Sequence, residues 1–258
     1  MKEEYISESE YDSYYGDLCN LRGRIAADLP VRPNMKILDL ATGYGYFAVE
    51  VARLGPTLKL LGIDISPDST AKARKHIDGA GLSDRVEILR MDASNMSFPG
   101  DTFDMVANFT GLEDVHMTRG IGGIKKTFAE VARVLKPGGY FCLAVMPPEE
   151  METEAQKIEV EVFSFTCHAT WLSADRYESM LREAGLIMVG KRPYHAGKKL
   201  TPEQARTEIK FACEFTPKIY GIKAASFEEV WNRYGGKIEK HGLGHYSKVV
   251  LMTARLDG

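Results

Sequence analysis

The 258-residue sequence predicts an α/β fold: a doubly wound, mostly parallel sheet of seven strands with an antiparallel last strand and helical cap insertions. Three observations lead there. Short apolar runs alternate with amphipathic stretches of helical spacing, the pattern of βαβ units. Three of those runs end on acids, Asp39, Asp64 and Asp92. The first run passes through Gly43 and Gly45 directly into a helix, the strand–turn–helix junction at which α/β proteins hold nucleotide-like ligands.

Each element follows in order. Lys36-Ile37-Leu38-Asp39-Leu40-Ala41 is the first strand, Thr42-Gly43-Tyr44-Gly45 the turn and Phe47 to Leu54 the helix. Glycines permit positive φ and a close approach of ligand to backbone, and the helix start offers free N–H groups. Leu60 to Ile65 reads as the second strand, with Ser66-Pro67 opening a helix because Pro suits its first turn. Residues 85–93 read as the third strand and 101–108 as the fourth. Leu135-Lys136-Pro137-Gly138-Gly139 is a helix end and turn before the fifth strand, Tyr140 to Val145. Ser173 to Ala184 is a helix stopped by Gly185. Leu186 to Lys191 is the sixth strand and Tyr246 to Ala254 the last.

Three stretches fall outside that pattern. Tyr11, Tyr14, Tyr15, Leu18, Leu21, Ile25 and Leu29 recur at helical spacing before the first strand. An excursion at 147–172 carries Ile158, Val160, Val162, Phe163, Phe165, Cys167, His168 and Trp171. A second, at 197–243, holds a helix opened by Thr201-Pro202 and running through Phe215, then a short helix over Ser226 to Trp231. The expected organisation is one domain, 1–258, with an N-terminal helical cap at 1–30 and inserted helical cap elements at 147–172 and 197–243. No internal repeat is visible.

Gly43-x-Gly45-x-x-Ala48, with Asp64 downstream, also fits a Rossmann-like dinucleotide fingerprint. Asp39 argues against NAD. A carboxylate at the end of the first strand would share a low-dielectric crevice with a pyrophosphate, and like charges there repel. A ligand with a cationic head makes Asp39 useful, and S-adenosylmethionine carries an ammonium and a sulfonium without phosphate. Asp64 then suits both ribose hydroxyls, and Asp92 the adenine amino group.

The chain resembles class I S-adenosylmethionine-dependent methyltransferases, and is similar in its first half to the ubiquinone/menaquinone-type small-molecule branch. The resemblance is carried by Leu38-Asp39-Leu40-Ala41-Thr42-Gly43-Tyr44-Gly45, Gly62-Ile63-Asp64-Ile65-Ser66, Met91-Asp92-Ala93-Ser94-Asn95-Met96-Ser97-Phe98-Pro99, Phe103-Asp104-Met105-Val106 and Leu135-Lys136-Pro137-Gly138-Gly139. These pieces span about residues 30 to 146, and Ala41 stands where the family's first loop glycine usually does. The resemblance implies that Asp39, Ala41, Thr42, Gly43, Gly45, Asp64, Ile65, Asp92, Ala93 and Asn108 hold the donor. Tyr14 and Tyr15, in the segment that folds over the donor in such proteins, join them. It places the loop after the fourth strand, with Phe109 and His116, beside the methyl group. His116 is then the candidate base, because a histidine titrates near neutrality. His168 and Trp171 are candidate acceptor contacts.

Composition bounds the remaining classes. A net charge of −3 and a pI near 6.1 argue against a nucleic-acid binder. Asn108-Phe109-Thr110-Gly111 is not the Asn/Asp-Pro-Pro-Tyr/Phe motif of adenine N-methylation, and no Pro-Cys pair suits cytosine C5 methylation. Cys19, Cys142, Cys167 and Cys213 are widely spaced and form no C-x-x-C pair, so no zinc site or disulfide framework is indicated. No metal is expected. The chain begins without an apolar signal region and has no membrane-length run, the profile of a soluble cytoplasmic protein. The expected acceptor is a small molecule; a protein side chain is the alternative, and the acceptor atom stays open.

Overall fold

A computed structural model describes residues 3–168 and 170–258; Met1, Lys2 and Ala169, from the segments 1–30 and 147–172, lie outside the described residues. The chain opens with β1 (Glu4–Tyr5), α1 (Glu8–Asp17), a 3-10 turn at Leu18–Asn20 and α2 (Leu21–Ala27). Then come β2 (Lys36–Leu40), α3 (Tyr46–Arg53), β3 (Lys59–Asp64), α4 (Pro67–Gly79), β4 (Val86–Arg90), β5 (Phe103–Phe109), α5 (Leu112–Val134) and β6 (Leu135–Val145). A 3-10 turn at Pro148–Glu150 leads to α6 (Glu154–Cys167), α7 (Ala174–Glu183), β7 (Leu186–His195), β8 (Lys198–Leu200), α8 (Pro202–Tyr220), α9 (Phe227–His241), β9 (Leu243–Gly244) and β10 (Lys248–Leu256).

The contacts divide the chain into two compact units. The first comprises residues 22–145, 174–192 and 251–258. Its frame is the seven-stranded sheet, in the order β4-β3-β2-β5-β6-β10-β7, mostly parallel with one antiparallel strand. Strands β2, β3 and β4 pair parallel in one direction and β5 and β6 in the other, so the order reverses between β2 and β5. At such a switch point the loops beyond the strand ends diverge and leave a crevice. Strand β2 is buried over its last four residues, as a central parallel strand flanked on both faces must be. Helix α3 turns Phe47, Ala48, Val51 and Ala52 to the core. In α4 the expected start is observed: Ser66 caps by accepting from the Ser69 N–H at 3.2 Å, and Pro67 takes the first position. Gly185 ends α7's turn at φ 80°, and Cys142 is core.

The second unit comprises residues 1–21, 146–173 and 193–250. Helices α6, α8 and α9 pack on one another. Each starts with a capping box, Thr153 with Gln156, Thr201 with Gln204 and Ser226 with Glu229, which satisfies two N-terminal groups reciprocally.

Four expectations need correction. The single N-terminal helix is two helices, because Leu18, Cys19 and Asn20 all take positive φ (44°, 53° and 55°) and break the register. The helix at Ser226 is not short: it continues to His241, closing over Val230, Tyr234 and Ile238 with Gly235-Gly236 inside it. The 197–243 segment is not only helical, since β8 pairs parallel with β1 and antiparallel with β9 in a three-stranded sheet. Strand pairing between residues nearly 200 positions apart leaves no local signal. Leu135 to Gly139 belongs to β6 instead of ending a helix, with Gly138 at φ 72°.

Candidate functional site

At the ends of β2, β3 and β5, and two residues past β4, the first unit places Asp39, Asp64, Asn108 and Asp92. Asp39 is buried, and the Thr42 hydroxyl donates to its Oδ2. Burial pushes its carboxyl up to about 7; the Thr42 bond and, more weakly, the Arg22 charge pull it down. A buried carboxylate in that balance is stabilised by an added cation.

The turn after β2 is built on unusual backbone. Ala41 sits at φ 54°, Gly43 at 55° and Gly45 at 79°. Only glycine takes that region freely, so Ala41 carries strain of roughly 1–2 kcal/mol. A Cβ on Gly43 would meet nothing within 4 Å, whereas one on Gly45 would press on Ala73 at 3.3 Å. The first glycine therefore leaves the loop open to a visitor, and the second lets α3 pack against α4.

Asp64 is buried and organises the loop. Its Oδ2 accepts the Gly43 N–H and its Oδ1 the Ser66 N–H, both at 2.9 Å. Burial raises its pKa against these bonds and the nearby Ile65 N–H. Each oxygen keeps a second lone pair, which is the capacity two ribose hydroxyls require. Ile65 is half-buried beside it.

Asp92 differs. Its Oδ1 accepts both the N–H and the hydroxyl of Ser94, each at 2.8 Å. Its Oδ2 takes two bonds from Arg119, from Nε at 3.1 Å and Nη2 at 3.0 Å. These bonds hold its carboxyl below the usual range although partial burial opposes them. Ala93, next to it, is buried.

Asn108 is fully buried and ties two loops together: its Nδ2 donates to the Leu40 carbonyl at 2.7 Å, and its Oδ1 accepts the Gly111 N–H at 3.4 Å. A Cβ on Gly111 would lie 2.6 Å from that of Ala41, so the loops touch. Phe109, half-buried, packs on Phe47 with ring centres 5.4 Å apart.

One residue of this group is absent from the sequence reading. Arg22, in α2, is 5% exposed, with its guanidinium 5.0 Å from the Tyr46 ring centre and 5.1 Å from that of Phe109. Its signal in sequence is slight, a cation one residue after the apolar Leu21 in a helix read as covering the sheet.

His116 lies inside α5, past its Gly111 cap. It is half-buried, and burial lowers its pKa. Three residues before it, Glu113 is buried, and burial pushes its carboxyl up to about 7; its Oε1 accepts from the Tyr177 hydroxyl at 3.3 Å.

The other candidates belong to the second unit. Tyr14 is buried and Tyr15 exposed; both face the His245 ring, at 5.7 and 6.4 Å between centres. His168 is exposed at the end of α6, at φ 52°, and lines a groove of about 570 Å³ with Phe165, Thr170 and Tyr234. Trp171 is half-buried and is not among that groove's lining residues. Among the described residues, no group of His, Cys, Asp or Glu has a metal-holding arrangement, and no helix is long and apolar enough to cross a membrane.

Comparison with known proteins adds to this geometry. A family profile described as a methyltransferase domain matches residues 37–139, from inside β2 into β6. The chain is 29% identical to 27-O-demethylrifamycin SV methyltransferase of Amycolatopsis mediterranei, over 91% of this chain and 82% of that protein. It is 35% identical to demethylmenaquinone methyltransferase of Thermus thermophilus, over 48% of this chain and 54% of that protein, so it spans about half of that relative's length. The crystal structure of the cyclase SpnF superposes with a TM-score of 0.61 at 21% identity, covering 92% of this chain and 81% of that one. At that identity the likeness concerns the fold alone.

Proposed function

We propose that the chain works as a class I S-adenosylmethionine-dependent methyltransferase that carries the methyl group to a hydroxyl oxygen of a small organic acceptor. The observation that carries the acceptor class is the reach of one likeness. An alignment over 91% of this chain takes in most of residues 193–250, and that relative's name specifies an oxygen. The demethylmenaquinone methyltransferase alignment leaves about half of this chain outside.

The donor's fit rests on the residues around the switch point. Asp39, buried and short of positive charge, accepts the ammonium. Arg22, a buried guanidinium, takes the carboxylate of the same amino-acid end. Asp64 takes the ribose hydroxyls with its free lone pairs, and the Gly43 turn lets the backbone lie close along the ligand.

When bound, the donor supplies a methyl carbon already activated by its sulfonium, so the remaining demand on the protein is positioning. Arg22 and Asp39 fix one end and Asp64 the other. Phe47 and Phe109 exclude water from the side they line. His116, whose pKa burial lowers, would take the acceptor's hydroxyl proton when donor and acceptor are bound. The proton then passes to solvent. This reading also takes the protein to be cytoplasmic.

The test supplies the purified protein with carbon-13 methyl donor and a cell extract of its source, then separates metabolites from macromolecules. Label on a small molecule, with the carbon NMR shift of a methyl ether, supports the proposal. Label on protein, or a C-methyl shift, overturns the acceptor class.

A further inference from the structure

Asp92 has no hydrogen-bonding capacity left. A carboxylate offers about four lone-pair directions, and Ser94 takes two through Oδ1 while Arg119 takes two through Oδ2. Asp64, at the end of the neighbouring strand, carries one bond on each oxygen and keeps the rest. An adenine amino group can therefore bond Asp92 only by displacing one of these donors, and Arg119, exposed and 27 residues away in sequence, is the one not tied into the turn at Asp92.

The backbone around Arg119 is built for such an exchange. The residue after it, Gly120, sits at φ 64° and ψ −171°, outside helical geometry, and divides α5 into a segment 112–119 and a segment 121–134. No atom lies within 4 Å of where a Gly120 Cβ would point. Three residues on, a Cβ at Gly123 would fall 2.1 Å from the Arg119 Cβ, so the break needs glycine at that position to let the arginine approach. The Arg119 side chain is 45% exposed and that of Asp92 29%. An ion pair with that much solvent is a weak latch, which a competing donor can displace.

We propose that Arg119 gates the adenine end of the donor site: it holds Asp92 until the adenine amino group takes its place, with segment 112–119 turning on Gly120. The proposal rests on the reading of Asp92 as the adenine partner. It makes Arg119 a positioning residue that sets both donor affinity and base selectivity. A hypoxanthine base, which presents a carbonyl in place of the amino group, is repelled by a bare Asp92 but welcomed by Arg119, so the arginine narrows the discrimination between them.

The experiment measures binding of S-adenosylhomocysteine and S-inosylhomocysteine by calorimetry to the wild type, Arg119→Gln, Arg119→Lys and Asp92→Ala. Arg119→Gln is expected to tighten the adenosyl ligand by about two- to five-fold, the range of an exposed ion pair, and to widen its preference over the inosyl ligand. Arg119→Lys, which keeps charge but loses the two-pronged hold, is expected to fall between. Asp92→Ala is expected to lose the preference. Unchanged affinity and preference in Arg119→Gln overturn the gate alone. A preserved preference in Asp92→Ala removes Asp92 from the adenine and the gate with it, and absence of adenosyl binding to the wild type would sink the donor reading itself.

Discussion

Burial pushes the Asp39 carboxyl up to about 7, and the guanidinium of Arg22 pulls against that shift from α2. The two residues lie 17 positions apart and belong to different elements, yet they set one electrostatic balance. Arg22→Ala should therefore weaken donor binding by more than about tenfold, the scale of one charged hydrogen-bonding partner. Arg22→Lys should recover little, because a lysine does not stack between Tyr46 and Phe109 as a planar guanidinium does. Titration calorimetry of both variants checks this; wild-type affinity in Arg22→Ala would remove the arginine from the site.

Donor affinity should fall as the pH drops from about 7.5 to 5.5, because protonating Asp39 removes the charge that attracts an ammonium. Thr42→Val deletes a hydrogen bond that lowers the Asp39 pKa, so its affinity profile should move to higher pH. Coincident profiles for the variant and the wild type would exclude Asp39 as the titrating group.

Asp64→Ala should weaken donor binding by more than about tenfold, through loss of a carboxylate bonded to both loop and ligand. Gly43→Val should abolish binding, since a β-branched residue at φ 55° is strained and its side chain would project into open space beside the loop. Near-normal affinity in the first, or intact binding by a folded second variant, would show that the ligand does not pass here.

His116→Ala should lower kcat while leaving donor affinity unchanged. The burial-lowered pKa makes the imidazole neutral at physiological pH, so activity in the wild type should be lost only on the acid side. A fully active variant would leave His116 as a helix residue.

Three buried acids make stability fall as pH rises. Burial holds Asp39 and Glu113 near 7 and Glu159 near 8, all above their unfolded values. Between those values the folded chain keeps protons that the unfolded chain has released, so unfolding is favoured with increasing pH. Thermal melts should show Tm decreasing from about pH 5 to 8, with Glu159→Gln making that decline shallower. A rising Tm over that range would contradict the burial of these groups.

The sheet was legible because its signals are local. Asp39, Asp64 and Asp92 stand at or just past the ends of successive strands, the Gly43 turn announces its positive φ by residue type, and Ser66-Pro67 and Thr201-Pro202 mark helix starts within four residues. Other features depend on groups distant in sequence. Arg22 meets Phe109 across 87 positions, Arg119 meets Asp92 across 27, and Glu4 pairs with Lys198. No periodicity or motif in either partner encodes those meetings. By itself, then, the sequence determined the order of the strands in the large sheet with the helices between them, and the acids near the strand ends, because hydrophobic period and turn chemistry act over a few residues. Only tertiary structure decided which of those acids keep lone pairs for a ligand and which are already bonded, because that depends on what the folded chain brings to each carboxylate.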